Sequence, residues 1–297
     1  MPSGLWSLAV LGLLALCGAA DSSNRETTAL RVTPGQAELR GPDSVQQLAV
    51  EGVGSDSVVD DLTPEAEFAS SHPDVATVDS AGTISAQGDG EAIITIRHGA
   101  LSAQVPVKVR EFTAGRSINF ANQIVPIFTK LGCNAGGCHG KASGQNGFKL
   151  SLLGFEPTVD YDALVKEGRG RRLFPARPEQ SLLLLKATAK VPHGGGRRLE
   201  AGSHEYRLIT RWIATGVPFG KADDPTVARI ETYPDTRVMP RGTRQQIVVT
   251  AQYTDGSTED VTRWAQYQSN DAEVAAVADG GQVATRELSG QAAIMAR

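Results

Sequence analysis

Asp61-Leu62-Thr63, then Asp74-Val75-Ala76-Thr77-Val78, then Gly90-Glu91-Ala92-Ile93-Ile94 is the run that sets the architecture of this chain, because it occurs twice. It returns as Asp260-Val261-Thr262, Glu273-Val274-Ala275-Ala276-Val277 and Gly290-Gln291-Ala292-Ala293-Ile294. Self-similarity at a nearly fixed offset marks a repeated structural unit before any single element is assigned. Within the first copy, apolar and polar residues alternate in short runs, as in Gln47-Leu48-Ala49-Val50, Ile93-Ile94-Thr95-Ile96 and Val105-Pro106-Val107-Lys108-Val109. Gly and Asp turns separate the runs. A period of two punctuated in this way predicts a small antiparallel sandwich over residues 28–112, each sheet keeping one solvated face.

The second copy is expected over residues 224–297, and to be C-terminally incomplete. The strand predicted at Ser102 to Val109 has no counterpart after Met295-Ala296-Arg297, so the chain is expected to be a fragment of a longer polypeptide. Both copies resemble the bacterial Ig-like domain, group 2, through the Asp-hydrophobic-Thr element, the Val-Ala-x-Val strand and the Gly-led turn. The resemblance implies all-β sandwiches acting as spacers or as modules for cell-surface contacts.

Outward from the repeats, 297 residues suffice for two or three domains. With 40% hydrophobic residues and a net charge of only -4, wholesale disorder is excluded. The middle stretch, residues 113–221, differs from its flanks: it holds 16 basic and 7 acidic residues, a balance of +9. Its apolar spacing also changes. Phe120, Ile124, Ile127, Phe128 and Leu131 fit one helix face, as do Leu182 to Leu185 with Ala187. Ser203 followed by Tyr206, Ile209, Trp212 and Ile213, and closed by Gly216, reads as a capped amphipathic helix. The predicted fold class is therefore multidomain, with two all-β sandwiches flanking a mainly α domain. Pro126 is expected to kink the first helix or delay its start.

At the N-terminus, the apolar run Leu5 to Leu16 is too short to span a bilayer. It leads into Cys17-Gly18-Ala19-Ala20-Asp21, whose small residues suit signal-peptidase cleavage, although Met1-Pro2-Ser3-Gly4 lacks the usual positive charge. Residues 1–20 are expected to be a signal peptide and the mature protein to be periplasmic or on the cell surface, with no integral membrane segment and no nucleic-acid partner. Cys17 leaves with the signal. Cys133 and Cys138 remain.

Those two cysteines lie in Cys133-Asn134-Ala135-Gly136-Gly137-Cys138-His139-Gly140. A c-type haem is attached by two thioethers, and a His directly after the second Cys comes under the iron. The usual spacing has two residues between the cysteines, and here there are four. Gly136 and Gly137 would supply the backbone freedom for a wider loop. The stretch 117–220 resembles a planctomycete-type cytochrome c domain. The matching motifs are Ile124-Val125-Pro126-Ile127-Phe128, Cys138-His139-Gly140, Pro178-Glu179-Gln180-Ser181-Leu182 and Leu208-Ile209-Thr210-Arg211-Trp212-Ile213.

The resemblance implies one covalent haem c on Cys133 and Cys138, with His139 as an axial iron ligand. No Met lies in the stretch, so His193, in Val191-Pro192-His193-Gly194-Gly195-Gly196, is expected as the second ligand in preference to His204, which reads as a surface residue. Two axial ligands would saturate the iron, favouring an electron carrier with an acidic redox partner over a catalyst. Arg171 and Arg172, with Arg169, Arg197 and Arg198, could meet haem propionates or such a partner, or form a solvated charged face.

Other readings of the cysteine pair stay open: a small disulfide loop, free thiols, or zinc held by Cys133, Cys138, His139 and His193. The disulfide and zinc readings belong to a different class of function, a non-enzymatic adhesion or scaffold protein of the cell surface. Glu65, Glu67 and Asp74, or Asp255 and Asp260, could be imagined as calcium ligands but read as solvated turn acids.

Overall fold

The computed structural model describes residues 27–54 and 59–297. The expected signal peptide and Cys17 lie outside the described residues. The first repeat forms ten strands: β1 (Thr27–Thr33), β2 (Ala37–Arg40), β3 (Val45–Gln47), β4 (Ala49–Gly54), β5 (Val59–Asp61), β6 (Glu67–Ser70), β7 (Ala76–Val78), β8 (Thr83–Ala86), β9 (Gly90–His98) and β10 (Leu101–Arg110). They build three sheets in the orders β1-β4-β5, β3-β8-β7 and β2-β10-β9-β6. The alternation seen in the sequence becomes alternation of burial. Ala92, Ile94 and Ile96 on β9 and Val105, Val107 and Val109 on β10 point into one core with Leu39, Leu48, Val50 and Ile84. Strand β10 holds the third sheet together, antiparallel to β9 and parallel to β2.

The second repeat uses β11 (Val227–Tyr233), β12 (Arg244–Gln246), β13 (Val248–Tyr253), β14 (Thr258–Asp260), β15 (Tyr267–Ser269), β16 (Ala275–Val277), β17 (Gln282–Thr285) and β18 (Ile294–Ala296). Its sheets are β11-β13-β14 and β12-β17-β16, matching the first two sheets of the first repeat, and a two-stranded β15-β18.

Between the repeats lie four short helices, α1 (Val125–Lys130), α2 (Pro157–Val165), α3 (Leu182–Ala187) and α4 (His204–Ala214). This corrects the expectation of a mainly α, cytochrome c-like domain. The chain as a whole is mostly strand, at 33% against 19% helix. The helices are 6, 9, 6 and 11 residues long, and turns occupy most of the stretch between them. Apolar spacing identified helix faces, but glycines and prolines recur too often for those faces to extend. At Gly154, φ is +76 and a Cβ would lie 2.2 Å from a Val125 methyl, so the chain must turn there on a residue without a side chain.

The longest helix, α4, starts where Ser203 accepts a hydrogen bond from the Tyr206 amide at 3.2 Å. It buries Leu208, Ile209, Trp212 and Ile213 against Phe120, Ile124 and Ile127. Pro126 sits in the first turn of α1, after a wide helical turn over Phe120–Ile124.

Corresponding residues join the two repeats. Asp61 accepts from the Gln246 amide at 2.6 Å, and Asp260 accepts from the Gln47 amide at 2.9 Å. Each carboxylate is also hooked inside its own module. Asp61 accepts from the Thr63 amide at 2.9 Å and Asp260 from the Thr262 amide at 2.8 Å. The hydroxyls of Thr63 and Thr262 in turn accept from the Val50 and Val249 amides, both at 2.8 Å. Glu51, fully buried, adds a second link by accepting from Arg31 of its own module and from Tyr233 and Arg237 of the other. Burial pushes both clasp carboxyls up, Asp260 to about 7. Asp260 is thus a buried joint residue and not the solvated turn acid expected from sequence.

Candidate ligand pocket

The loop carrying the two cysteines is folded tightly on itself. The Cys133 amide donates to the Phe128 carbonyl at the end of α1 (2.8 Å), and the His139 amide donates to the Cys133 carbonyl (3.0 Å). The Cys138 and Gly140 amides both donate to the Ala135 carbonyl, at 2.9 and 3.1 Å. A Cβ on Gly140 would stand 1.9 Å from the Asn134 carbonyl oxygen, so only glycine permits this turn. Buried Asn134 ties the loop to α1 by donating to the Thr129 hydroxyl at 2.8 Å.

The loop forms one wall of a cavity of about 740 Å³. Cys133, Cys138, His139, His193, Arg171 and Arg172, the six residues singled out from sequence, all line it. His139 comes from the cysteine loop, His193 from the turn after α3, and the arginines from the turn after α2. The two imidazole rings lie 6.4 Å apart between centroids with planes 8° from parallel. Each is oriented by a backbone carbonyl, His139 Nδ1 by Phe148 (3.0 Å) and His193 Nδ1 by Gly196 (2.8 Å). A carbonyl partner requires Nδ1 to carry the proton, which leaves Nε2 of each neutral ring as an acceptor. Burial lowers the pKa of His139, favouring the neutral ring.

Arg172 is buried beneath this wall. It donates to the carbonyls of Ala163 (2.5 Å) and Gly147 (2.6 Å) and lies 4.7 Å from the Phe148 ring centroid. It braces the cavity. Arg171 and Arg198 are exposed at the mouth, and their guanidinium groups form no hydrogen bond or ion pair with another described residue. Lys186, on α3, donates to the Pro192 carbonyl at 2.6 Å and so holds the His193 loop. Sequence reasoning missed Lys186 and the apolar floor of Phe128, Leu150, Leu164 and Leu183. The signal for part of that floor was the Leu182 to Leu185 run, which was read only as a helix face.

His204 is not at this cavity. It is buried in the first turn of α4, where burial holds its imidazole down to about 4, in contrast to the surface position expected.

No protein-family model matches the chain, and no curated protein matches it. Among solved structures, it is similar to domains 5-6 of the S-layer protein SbsC at 12% identity and a TM-score of 0.32, covering 92% of this chain and 86% of that one. It is also similar to the S-layer protein rSbsC(31-844) at 10% identity and a TM-score of 0.20, covering 84% of this chain. The chain spans 21% of the length of the latter. TM-scores this low do not establish a shared fold.

The planctomycete-type cytochrome c resemblance is therefore overturned, and with it the covalent haem c, the iron and the electron-transfer role assigned to Cys133, Cys138, His139 and His193. The resemblance required a mainly helical domain that the chain does not form, and no family model supports it or the Ig-like resemblance of the two repeats. The Cys133 thiol is packed against the apolar cluster under α1, and burial pushes it up to about 11. Among the described residues, no group of three or more His, Cys, Asp and Glu could hold a metal ion, which also removes the zinc alternative. Both cysteines are free thiols. Without haem, nothing supports a redox partner.

Proposed function

We propose that the chain is a non-enzymatic structural protein of the cell exterior, in which two strand-built modules clasp each other and the segment between them. The observation that carries this reading is the reciprocal clasp of Asp61 on Gln246 and Asp260 on Gln47. A loose string of modules would leave these carboxylates in water. Burying them is tolerable only because donors from both modules meet them. The middle segment is tied into the same body by Arg263 on Glu205 (2.8 Å), Arg211 on Asp43 (2.5 Å) and Gln266 on the Thr129 carbonyl (2.6 Å). The apolar run and small residues before Asp21 support export. Among the described residues, no helix is long and apolar enough to cross a membrane. The reading stands on the clasp and not on the surface-layer proteins named above, whose likeness is too slight to bear on it.

Hydrogen exchange tests the clasp directly, because the Gln47 and Gln246 amides are its donors. Both are expected to be protected in the wild type. Asp260→Ala should release Gln47, and Asp61→Ala should release Gln246, while Ile94 in the first core stays protected. Antibody labelling of intact cells tests location. Wild-type Gln47 and Gln246 amides exchanging at open-loop rates, or labelling only after permeabilisation, would sink the reading.

A further inference from the structure

The cavity beside the cysteine loop joins an apolar floor, including Phe128, Leu164 and Leu183, to a cationic mouth formed by Arg171, Lys186 and Arg198. No Asp or Glu is among its lining residues. The guanidinium groups of Arg171 and Arg198 are exposed there and have no described ion-pair partner, so they are open to a ligand. The volume falls in the range of small-molecule sites, roughly 300–1,000 Å³.

We infer that this cavity binds an organic anion with an apolar body. The floor offers apolar surface that water solvates poorly, and burying it against an apolar body is favourable. Three cations with no acid line the same mouth, and an anionic group would balance their charge while accepting charge-assisted hydrogen bonds from the guanidinium groups. The +9 balance over residues 113–221 would draw such a ligand toward this segment of an otherwise acidic chain. The acceptors left on His139 and His193 suit a hydroxyl or other donor on the ligand. The inference is independent of the clasp and of where the protein resides.

The test is titration of the full chain with 8-anilinonaphthalene-1-sulfonate, followed by fluorescence and calorimetry, with dodecyltrimethylammonium as the probe of opposite charge. One site that weakens with added salt is expected for the anion. Arg171→Gln and Arg198→Gln should each weaken it about tenfold, the loss of one charge-assisted contact, with thermal unfolding unchanged. Gly137→Trp should abolish binding by filling the cavity, since a Cβ there meets nothing within 4 Å and the fold is spared. Equal affinity for the cationic probe, wild-type affinity in both arginine variants, or many weak sites in place of one would each overturn the inference.

Discussion

The two repeats share their hooks and differ in their closure. Val50 with Thr63 and Val249 with Thr262 make the same amide-to-hydroxyl bond at the same 2.8 Å. Gln47 and Gln246 each donate through the side-chain amide to the following backbone carbonyl, at 2.9 and 2.8 Å. The third sheets diverge. Leu39 on β2, paired in register with Val109 of β10, is 2% exposed, while its counterpart in the second repeat, Val238, is 92% exposed. Among the described residues, no strand of the second repeat takes the place of β10. Local hooks thus form wherever their few residues recur, whereas a buried sheet position needs its neighbouring strand.

The sharpest way to break the comparison is to truncate both counterparts. Leu39→Ala should cost about 2–5 kcal/mol, as expected for a buried leucine, and Val238→Ala within about 0.5 kcal/mol of nothing. Chemical denaturation followed by hydrogen exchange in each repeat reads both. Equal effects would mean that Val238 is covered in solution. Next in size are Thr63→Val and Thr262→Val, which each leave a buried amide without its acceptor. Both should lose about 1–3 kcal/mol, and by similar amounts, since the hooks are equivalent.

A further difference should emerge with pH. Asp260 has a folded pKa of about 7 against an ordinary value near 3.8, so the folded state holds its proton more tightly. Its stabilising contribution is full below about 3.8 and is lost as pH rises through about 7. Stability of Asp260→Asn relative to wild type should therefore rise between pH 4 and pH 8. Asp61 is raised for the same reason, burial, and Asp61→Asn should show the same sign. Paired denaturation curves across that range check it; a difference that fell with pH would contradict the assignment. Smallest of all, a peptide of residues 101–110 added near its Kd should protect the β18 amides, with a gain under about 1 kcal/mol. No protection at β18 would show that a neighbouring strand like β10 is not what separates the repeats.

The strands were legible because burial on a sheet follows a period of two, and Ile94, Ile96, Val105 and Val107 obey it without help from distant residues. Helix α4 was legible for a similar reason, its Ser203 cap and apolar spacing both being local. Helix extent was not. Faces repeat over two turns whether or not a third follows, and the turn at Gly154 depends on Val125, far back in the chain. The clasp was invisible because its bonds join residues such as Asp61 and Gln246 that only folding brings together, so Asp260 read as one more turn acid. His204 failed in the same way: a polar residue in a first helical turn reads as exposed unless Trp264, a second-repeat residue whose ring centroid lies 6.2 Å away, is known to cover it. The cavity residues were singled out for a chemistry that the fold does not support, although they do face a common space.

Each half of the clasp carries both an acceptor and a donor, Asp61 with Gln47 on one side and Asp260 with Gln246 on the other. A surface that offers both partners of its own contact is self-complementary, which is the condition for a twofold, isologous pairing. The contact therefore has the form of a homodimer interface drawn inside one polypeptide. What keeps it there is the covalent connection between the halves, which raises their local concentration above that of any neighbouring molecule. Cut or unfold residues 113–226, and the same side chains are free to join two molecules in place of two halves of one.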